Sequence, residues 1–161
     1  MQLVVADAGP IIHLAEAEAL SIIDTLGAIL VPRCVANEVS SVLGYSTWQS
    51  NIKIIDIDQA TRRNADLLIS TAGLHRGEAE AIALAMNTSN ALLLSDDAAA
   101  RLYASYIHIE VRGSLGIVLA AVAYGRISKT EADIILDLLK NSSLWLSKEV
   151  FQEAKAALRE I

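Results

Sequence analysis

Short apolar runs alternate with longer helical patterns along this chain, and this alternation constrains its fold more than any other feature. Each run is followed by a stretch in which apolar residues recur every three or four positions, as in an amphipathic helix. Strands that alternate with helices make right-handed crossovers and build a parallel sheet. The pattern therefore predicts an α/β fold, with strands expected at residues 2–6, 28–31, 52–57, 91–94 and 108–111.

The helical stretches carry signals at their ends. Asp58 is a candidate N-cap, Gly73 lies where a helix commonly ends, and Ser128 with Glu131 forms a capping-box pattern. The first helical stretch follows Pro10 and reads IIHLAEAEAL. Further helices are expected at residues 33–43, 58–71, 78–87, 98–106, 114–124, 128–140 and 147–161. We expect a single domain over residues 1–161, with residues 128–161 as a C-terminal helical extension.

Composition limits the cellular setting and the kind of core. Hydrophobic residues make up 53% of the chain and aromatic residues only 4%, so the core has to be aliphatic. The longest apolar stretch, residues 115–124, is about half of the ~20 residues that a membrane span needs. The N-terminus lacks a secretory signal pattern, and the lone Cys34 cannot form an internal disulfide. These features predict a cytoplasmic protein without a membrane segment.

The charge balance argues against general electrostatic binding of nucleic acid. Thirteen Lys and Arg residues against 19 Asp and Glu residues give a net charge of −6. The same balance is compatible with a metal-dependent nuclease, because two divalent cations would neutralise most of this charge.

Three aspartates directly follow apolar strands. Asp7 ends the run LVVA, and Asp96 with Asp97 follows LLLS. Ligands of open parallel sheets gather at the carboxyl ends of the strands, where these residues are expected to lie. Each aspartate could instead be a helix N-cap, although two adjacent acids exceed what one cap needs.

Three glutamates lie on helices beside apolar residues. Glu38 borders the stripe formed by Val35 and Val42, so we expect it to point inward. Glu78 shares a face with Ile82, whereas Glu80 falls on the more polar side and is expected to be solvated. Taken singly, such a glutamate is more often a rim residue than a ligand.

Convergence of Asp7, Glu38, Glu78 and Asp97 would create a site for a hard cation. Crowded carboxylates repel one another unless a cation neutralises them. Oxygen ligands without supporting Cys or clustered His favour Mg²⁺ or Mn²⁺ over zinc. Ions of this kind can activate water and stabilise the leaving oxygen when a phosphodiester is cleaved.

At these residues the chain resembles the PIN-domain family, in particular its prokaryotic DUF3368-type branch. The resemblance covers nearly the whole chain and rests on VVADAGPII, VPRCVANEVS, GEAEAIALA, LLLSDDAAAR and RGSLGIVLAA. It implies a three-layer α/β/α fold around a mainly parallel sheet of about five strands. It also implies that Asp7, Glu38, Glu78 and Asp97 are catalytic metal ligands, with Asp96 assisting. Many PIN nucleases carry Thr or Ser directly after the first Asp, where this chain has Ala8.

The resemblance implies a Mg²⁺- or Mn²⁺-dependent endoribonuclease with RNA as its substrate. Many members of this branch resemble toxins of toxin–antitoxin pairs, which implies a small antitoxin protein as a partner. The apolar residues of the terminal helices suggest a homodimer, although they could instead close the core. A degenerate, non-catalytic PIN fold that binds RNA or a protein is the main alternative, and phosphoryl transfer on a doubly wound sheet fits the acid positions poorly.

Several other residues are weaker candidates for function. His75, Arg76 and Arg101 could face the acidic site and bind phosphates, although each residue taken alone is more often ordinary surface charge. His13 is expected to be a satisfied, partly buried histidine, and Cys34 a small packing residue. The two tryptophans, Trp48 and Trp145, are too isolated to form a base-stacking platform, and at least one is expected in the core or an interface.

Overall fold

A computed structural model describes residues 2–44, 48 and 51–161 of the chain. Within these residues, five strands form one sheet in which every pair of neighbours is parallel. Their order across the sheet is β3-β2-β1-β4-β5. The strand order reverses between β1 and β4, which are neighbours in the interior of the sheet. The strands are β1 (Leu3–Ala6), β2 (Ile29–Pro32), β3 (Ile52–Ile55), β4 (Ala91–Leu94) and β5 (Glu110–Arg112).

Helices cover both faces of the sheet, which confirms the three-layer α/β/α prediction. Side chains alternate between the faces along β1, so Val4 and Ala6 enter one apolar cluster and Val5 enters the other. The described helices are α1 (Ala8–Glu16), α2 (Arg33–Leu43), α3 (Gln59–Ala72), α4 (Arg76–Met86), α5 (Ala98–Tyr106), α6 (Ser114–Ala123), α7 (Lys129–Lys140) and α8 (Lys148–Glu160). The first cluster includes residues of α1, α2, α6, α7 and α8, and the second includes residues of α3, α4 and α5.

Most of the predicted helix ends are confirmed. Asp58 caps α3 by accepting a hydrogen bond from the Thr61 N–H, and Gly73 ends that helix with a left-handed φ of 68°. Ser128 and Glu131 form the predicted capping box of α7. Local hydrogen bonds of this type depend on residues a few positions apart, which explains why the sequence indicates them well.

The first helical stretch is shorter than predicted. Helix α1 ends at Glu16, and Glu18 then adopts a positive φ of 54°, which an α-helix cannot accommodate. The chain continues as a separate 3-10 helix over Leu20–Leu26. Strand β5 also begins at Glu110 rather than at residue 108, because His108 has a positive φ of 61°.

The C-terminal helices bury much of their apolar surface against the rest of the chain. Leu136, Leu139 and Leu158 belong to the same buried cluster as the central strands β1 and β4. These residues therefore close the core, as one of the two sequence interpretations proposed. In the described part of the chain, no helix combines the length and the apolar character needed to cross a bilayer.

Candidate active site

The carboxyl ends of the two central strands open into an acidic cleft with a cavity volume of about 480 Å³. Strand β1 ends at Asp7 and strand β4 is followed by Ser95, Asp96 and Asp97, so the sheet itself brings these residues together. Helices α2 and α4 add the glutamates. Five acidic residues line the cleft: Asp7, Glu38, Glu78, Asp96 and Asp97.

Asp7 is the most buried of these acids, with 7% of its surface exposed. Its Oδ1 atom accepts a hydrogen bond of 2.8 Å from the Ala8 N–H, and its Oδ2 atom accepts one of 3.1 Å from the Ser95 hydroxyl. The pKa of Asp7 is raised from 3.8 to about 6, chiefly by burial; the charges of Glu78 and Glu38 add to this effect, and the hydrogen bonds from Ala8 and Ser95 oppose it. Asp7 thus occupies the N-cap position of α1 and also presents a costly buried charge to the cleft.

The two adjacent aspartates have different roles in the structure. Asp96 accepts hydrogen bonds on both carboxylate oxygens, from the Ser114 N–H at 2.7 Å, the Ser114 hydroxyl at 2.6 Å and His13 Nδ1 at 2.7 Å. Asp97 caps α5 with Oδ1 alone, which accepts from the Ala100 N–H at 2.7 Å. Asp96 therefore fixes α1 and α6 beside the cleft, while Asp97 keeps more of its accepting capacity.

His13 shows the environment that the sequence predicts. Its side chain is 15% exposed and its Nδ1 atom pairs with Asp96, so it is a satisfied and partly buried histidine.

Glu38 and Glu78 reach the cleft from α2 and α4. The expectation that Glu38 points inward is wrong: Glu38 is exposed, because Val35 and Val39 take the buried face of α2 and Glu38 lies on the side that lines the open cleft. Glu78 is largely buried, and its Oε2 atom accepts a hydrogen bond of 2.8 Å from the His75 N–H. Both residues line the same acidic cleft.

Gly77 allows the acids on three elements to approach one another. A β-carbon at this position would lie 3.2 Å from Glu38 Oε2 and 3.5 Å from Asp7 Oδ1. A larger residue would displace the Glu38 carboxylate and press on Val35, whose Cγ2 atom would lie 3.4 Å from the added carbon. A glycine here therefore keeps the carboxylates of Glu38 and Asp7 close to the same point.

The expectation that Glu80 is solvated is wrong. Only 4% of Glu80 is exposed, and its Oε2 atom lies 2.8 Å from the Cys34 sulfur, which donates a hydrogen bond to it. Helix α4 packs against the sheet, α2, α3 and α5, so it has almost no polar face on which Glu80 could lie. The half-buried Cys34 is accordingly a packing residue with a polar contact, and burial followed by the hydrogen bond to Glu80 raises the pKa of its thiol to about 12.

The three basic candidates lie in different places. His75 is 91% exposed and lines the acidic cleft. Arg76 is turned away, with its Nη1 atom 2.6 Å from Asp66 and 3.8 Å from Glu80, and it does not line the cleft. Arg101 lies on α5 and lines a second, neighbouring groove instead.

The acidic side chains share the cleft without forming a finished coordination shell. Among residues 2–44, 48 and 51–161, no group of three or more His, Cys, Asp or Glu side chains is arranged so that it could hold a metal ion as it stands. The donor set nevertheless consists only of carboxylate oxygens, which suit hard divalent cations. A cation would therefore bind after side-chain movement, for which the exposed Glu38 has the most freedom.

Sequence reasoning missed residues that shape the cleft from distant parts of the chain. Ser95 is fully buried, donates its hydroxyl to Asp7 and lies 3.3 Å from the Asp97 N–H. Trp145 lies in the connection between α7 and α8, is 85% exposed and lines the rim of the cleft. Trp48 instead packs against the core and donates from Nε1 to the Ser40 hydroxyl at 3.0 Å, so one tryptophan is in the core as predicted. A polar residue at the end of a buried strand was the only available signal for Ser95.

Comparisons with known proteins identify the family. No curated protein and no solved structure matches the chain. The family profile described as DUF3368: PIN domain matches residues 3–160. PIN domains have a nuclease-type fold and generally depend on divalent metals. Since the match includes the sheet, the acidic cleft and the C-terminal helices, the chain belongs to the PIN-domain family.

Proposed function

We propose that this protein is a metal-dependent endoribonuclease that hydrolyses RNA phosphodiester bonds at the acidic cleft. The observation that carries the proposal is the convergence of Asp7, Glu38, Glu78 and Asp97 on one cleft at the carboxyl edge of a PIN-type sheet. The raised pKa of Asp7 supports it, because a buried carboxylate close to other acids is stabilised by a bound cation.

In this proposal, Asp7, Glu38, Glu78 and Asp97 hold Mg²⁺ or Mn²⁺. The ion supplies Lewis-acid chemistry, which activates water and stabilises the leaving oxygen. Asp96 is the weaker candidate ligand, because both of its oxygens already accept hydrogen bonds from Ser114 or His13.

The chain's own residues orient this ligand set. Backbone N–H groups of Ala8, His75 and Ala100 hold one oxygen each of Asp7, Glu78 and Asp97. A carboxylate oxygen that accepts one hydrogen bond keeps a further lone pair, so these contacts fix the side chains without exhausting them. Glu38 is held less firmly, and its freedom to move suits a ligand that completes the site when a cation and substrate arrive.

The experiment that tests this proposal measures cleavage of a labelled single-stranded RNA by the purified protein in Mn²⁺ or Mg²⁺ and in EDTA. We expect cleavage only with the divalent ion, and we expect Asp7→Asn to abolish it. Asp58→Asn is a matched control, because Asp58 is also an N-cap aspartate but lies outside the cleft. Cleavage at the same rate in EDTA, or by Asp7→Asn, would contradict the proposal.

A non-catalytic PIN domain that binds RNA or a protein is the second candidate. The lack of a finished coordination shell among the described residues favours it, as does Ala8 in place of a hydroxyl residue. The two candidates differ in one result: a binding domain would retain its affinity for its partner when Asp7, Glu38, Glu78 or Asp97 is replaced.

We further propose that the protein acts in the cytoplasm as the toxin of a toxin–antitoxin pair, as a homodimer restrained by a small antitoxin. The resemblance to prokaryotic toxins supports this assignment. Exposed apolar residues on the C-terminal helices, among them Ile134 and Val150, offer surface for such contacts. Growth arrest on expression of the wild type but not of Asp7→Asn, together with a dimeric mass in light scattering, is the expected result.

A further inference from the structure

The connection between α7 and α8 holds Trp145 out into solvent at the edge of the acidic cleft. The residue before it, Leu144, is buried in the core, and Ser143 is tied to α1 by its N–H and hydroxyl, which donate to Glu16 at 2.8 and 2.9 Å. The indole itself remains 85% exposed. A large aromatic side chain kept in water on a segment with fixed neighbours loses little conformational freedom when a flat ligand packs on it.

Trp145 also separates the acidic cleft from a second groove with a cavity volume of about 840 Å³. Four residues line both the cleft and the groove: Asp96, Ala98, Leu144 and Trp145. Elsewhere the groove is largely apolar, with contributions from α5, α6 and α8 that include Leu102, Leu115, Leu119 and Val150. A chain that extends from the acidic cleft into this groove would pass Trp145, which lines both spaces.

Cationic side chains lie on the groove side of Trp145. Arg101 is exposed and, within the described residues, takes part in no ion pair. The Nη1 atom of Arg101 lies beside Gly113: a β-carbon added to that glycine would be 3.1 Å from Nη1 and 2.7 Å from Asp96 Oδ1. Arg101 is therefore close to Asp96, which lines both the groove and the acidic cleft. Arg112 also lines the groove, although it pairs with Glu110 at 2.7 Å, and Glu153 is an opposing charge. Within the described part of the chain, Arg101 is therefore the cation of this groove that takes part in no ion pair.

We propose that Trp145 is a nucleobase-stacking residue, which positions single-stranded RNA so that a base beside the scissile phosphate lies on the indole and a flanking phosphate meets Arg101. This inference rests on the proposed ribonuclease function and names a residue that positions its substrate. The expectation from the sequence that the tryptophans are too isolated for base stacking applies to a platform of several rings, whereas one exposed indole that lines the cleft can stack on a single base. Stacking on one aromatic ring accepts any base but requires an unpaired strand, because the faces of paired bases are covered in a duplex. The site thus favours single-stranded RNA without selecting a sequence through Trp145.

The arrangement also explains how an acidic protein could hold an anionic substrate. The phosphate to be cleaved would enter a cleft lined by five acids, which repels it until cations are bound. Stacking is independent of charge, and Arg101 lines the neighbouring groove and not the acidic cleft. The indole and the guanidinium therefore hold the strand beside the cleft rather than inside it.

The test compares wild type, Trp145→Ala and Trp145→Phe in binding and cleavage of a short fluorescein-labelled single-stranded RNA of mixed sequence, with Mn²⁺ present for cleavage and Ca²⁺ for binding. We expect Trp145→Ala to weaken RNA binding about tenfold, since one stacked base contributes on that order, and Trp145→Phe to keep most of the affinity. At RNA concentrations below saturation, cleavage by Trp145→Ala should fall by about the same factor as the RNA affinity, and Trp145→Phe should keep most of the activity. Tyr106→Ala is the matched control, since Tyr106 is 79% exposed and lines neither space.

Indole fluorescence gives a readout that a purely structural role would not change. Unlabelled RNA should quench the emission of the wild type, and Trp145→Phe should lose this quenching while still binding, because Trp48 is packed against the core. Equal RNA affinity in wild type and Trp145→Ala, in a protein that cleaves RNA, would overturn the stacking role and leave the ribonuclease intact. A wild type that neither binds nor cleaves RNA would overturn both the stacking role and the ribonuclease function. If Trp145→Ala loses self-association but keeps its RNA affinity, the groove binds a second copy of the chain instead.

Discussion

Replacing Asp7 by Asn should stabilise the metal-free protein while it removes activity. Burial raises the pKa of Asp7 from 3.8 to about 6, so the folded protein resists its ionisation. This difference in pKa lowers the free energy of unfolding by about 3 kcal/mol at a pH well above 6. Asn is a good N-cap residue and can still accept from the Ala8 N–H, so little is lost in exchange. For a chain of this size, the gain corresponds to a melting temperature higher by roughly 6 to 12 °C.

The pH dependence of this effect has a definite sign. Because the pKa is higher in the folded protein than in the unfolded chain, Asp7 destabilises the fold only where it is ionised. The wild type should therefore lose stability as the pH rises from about 3.8 through about 6, and Asp7→Asn should not share this loss. The two proteins should melt alike near the lower end of this range and differ most at neutral pH and above.

Calorimetry at several pH values, with and without Mn²⁺, measures these effects. A hundredfold excess of Mn²⁺ over its dissociation constant should stabilise the wild type by about 2.7 kcal/mol and Asp7→Asn much less. Asp58→Asn is the control, because its pKa is lowered by the hydrogen bond from the Thr61 N–H and its loss should not stabilise the fold. Identical melting of wild type and Asp7→Asn at all pH values, with or without Mn²⁺, would refute the reasoning and leave Asp7 as a helix cap alone.

Two further predictions concern the residues around Asp96. Asp97→Asn should reduce RNA cleavage by more than about 100-fold, because it removes a proposed metal ligand. Asp96→Asn should mainly lower the free energy of unfolding, by about 1.5 to 3 kcal/mol in urea, because Asp96 holds His13 and Ser114. If Asp96→Asn reduces cleavage more than Asp97→Asn does, the ligand is Asp96. Gly113→Ala should destabilise the fold by about 1 to 3 kcal/mol, since its β-carbon would lie 2.7 Å from Asp96 Oδ1. Gly116→Ala, with no such atom closer than 3.7 Å, should instead leave stability unchanged or raise it, and equal effects of the two alanines would contradict the close-packing argument.

The sequence predicts the features of this fold that depend on short-range patterns. Alternation of apolar runs and helices is sufficient for a parallel sheet, and the carboxyl ends of parallel strands lie at the same edge. Asp7 and Asp97 could therefore be placed near each other although 90 positions separate them in the chain. The caps at Asp58 and Ser128 followed from neighbours within one helical turn.

Errors arose where burial depends on which elements surround a helix. Helical periodicity placed Glu80 on the polar side of α4, which was expected to face solvent. That side is not exposed, because the sheet and three helices enclose α4. Glu38 was misplaced in the opposite direction, because its side of α2 lines the open cleft instead of packing against the core. Helical periodicity gives the relative direction of side chains on one helix, but tertiary packing decides what each direction faces.

Ala8 stands where many PIN nucleases have Thr or Ser, and a contact between neighbouring strands bears on how this difference is interpreted. A sequence with Ala directly after its first aspartate lacks the hydroxyl that many PIN nucleases carry there, and this difference alone favours a non-catalytic domain. In the structure, however, β1 and β4 pair in register from Leu3 with Ala91 to Ala6 with Leu94, which places Ser95 beside Asp7. The Ser95 hydroxyl donates to Asp7 Oδ2, while Ala8 is buried and supplies its N–H to Oδ1. Asp7 is thus held by a hydroxyl that follows the neighbouring strand, so the absence of one at position 8 does not weaken the proposal that Asp7 is a metal ligand.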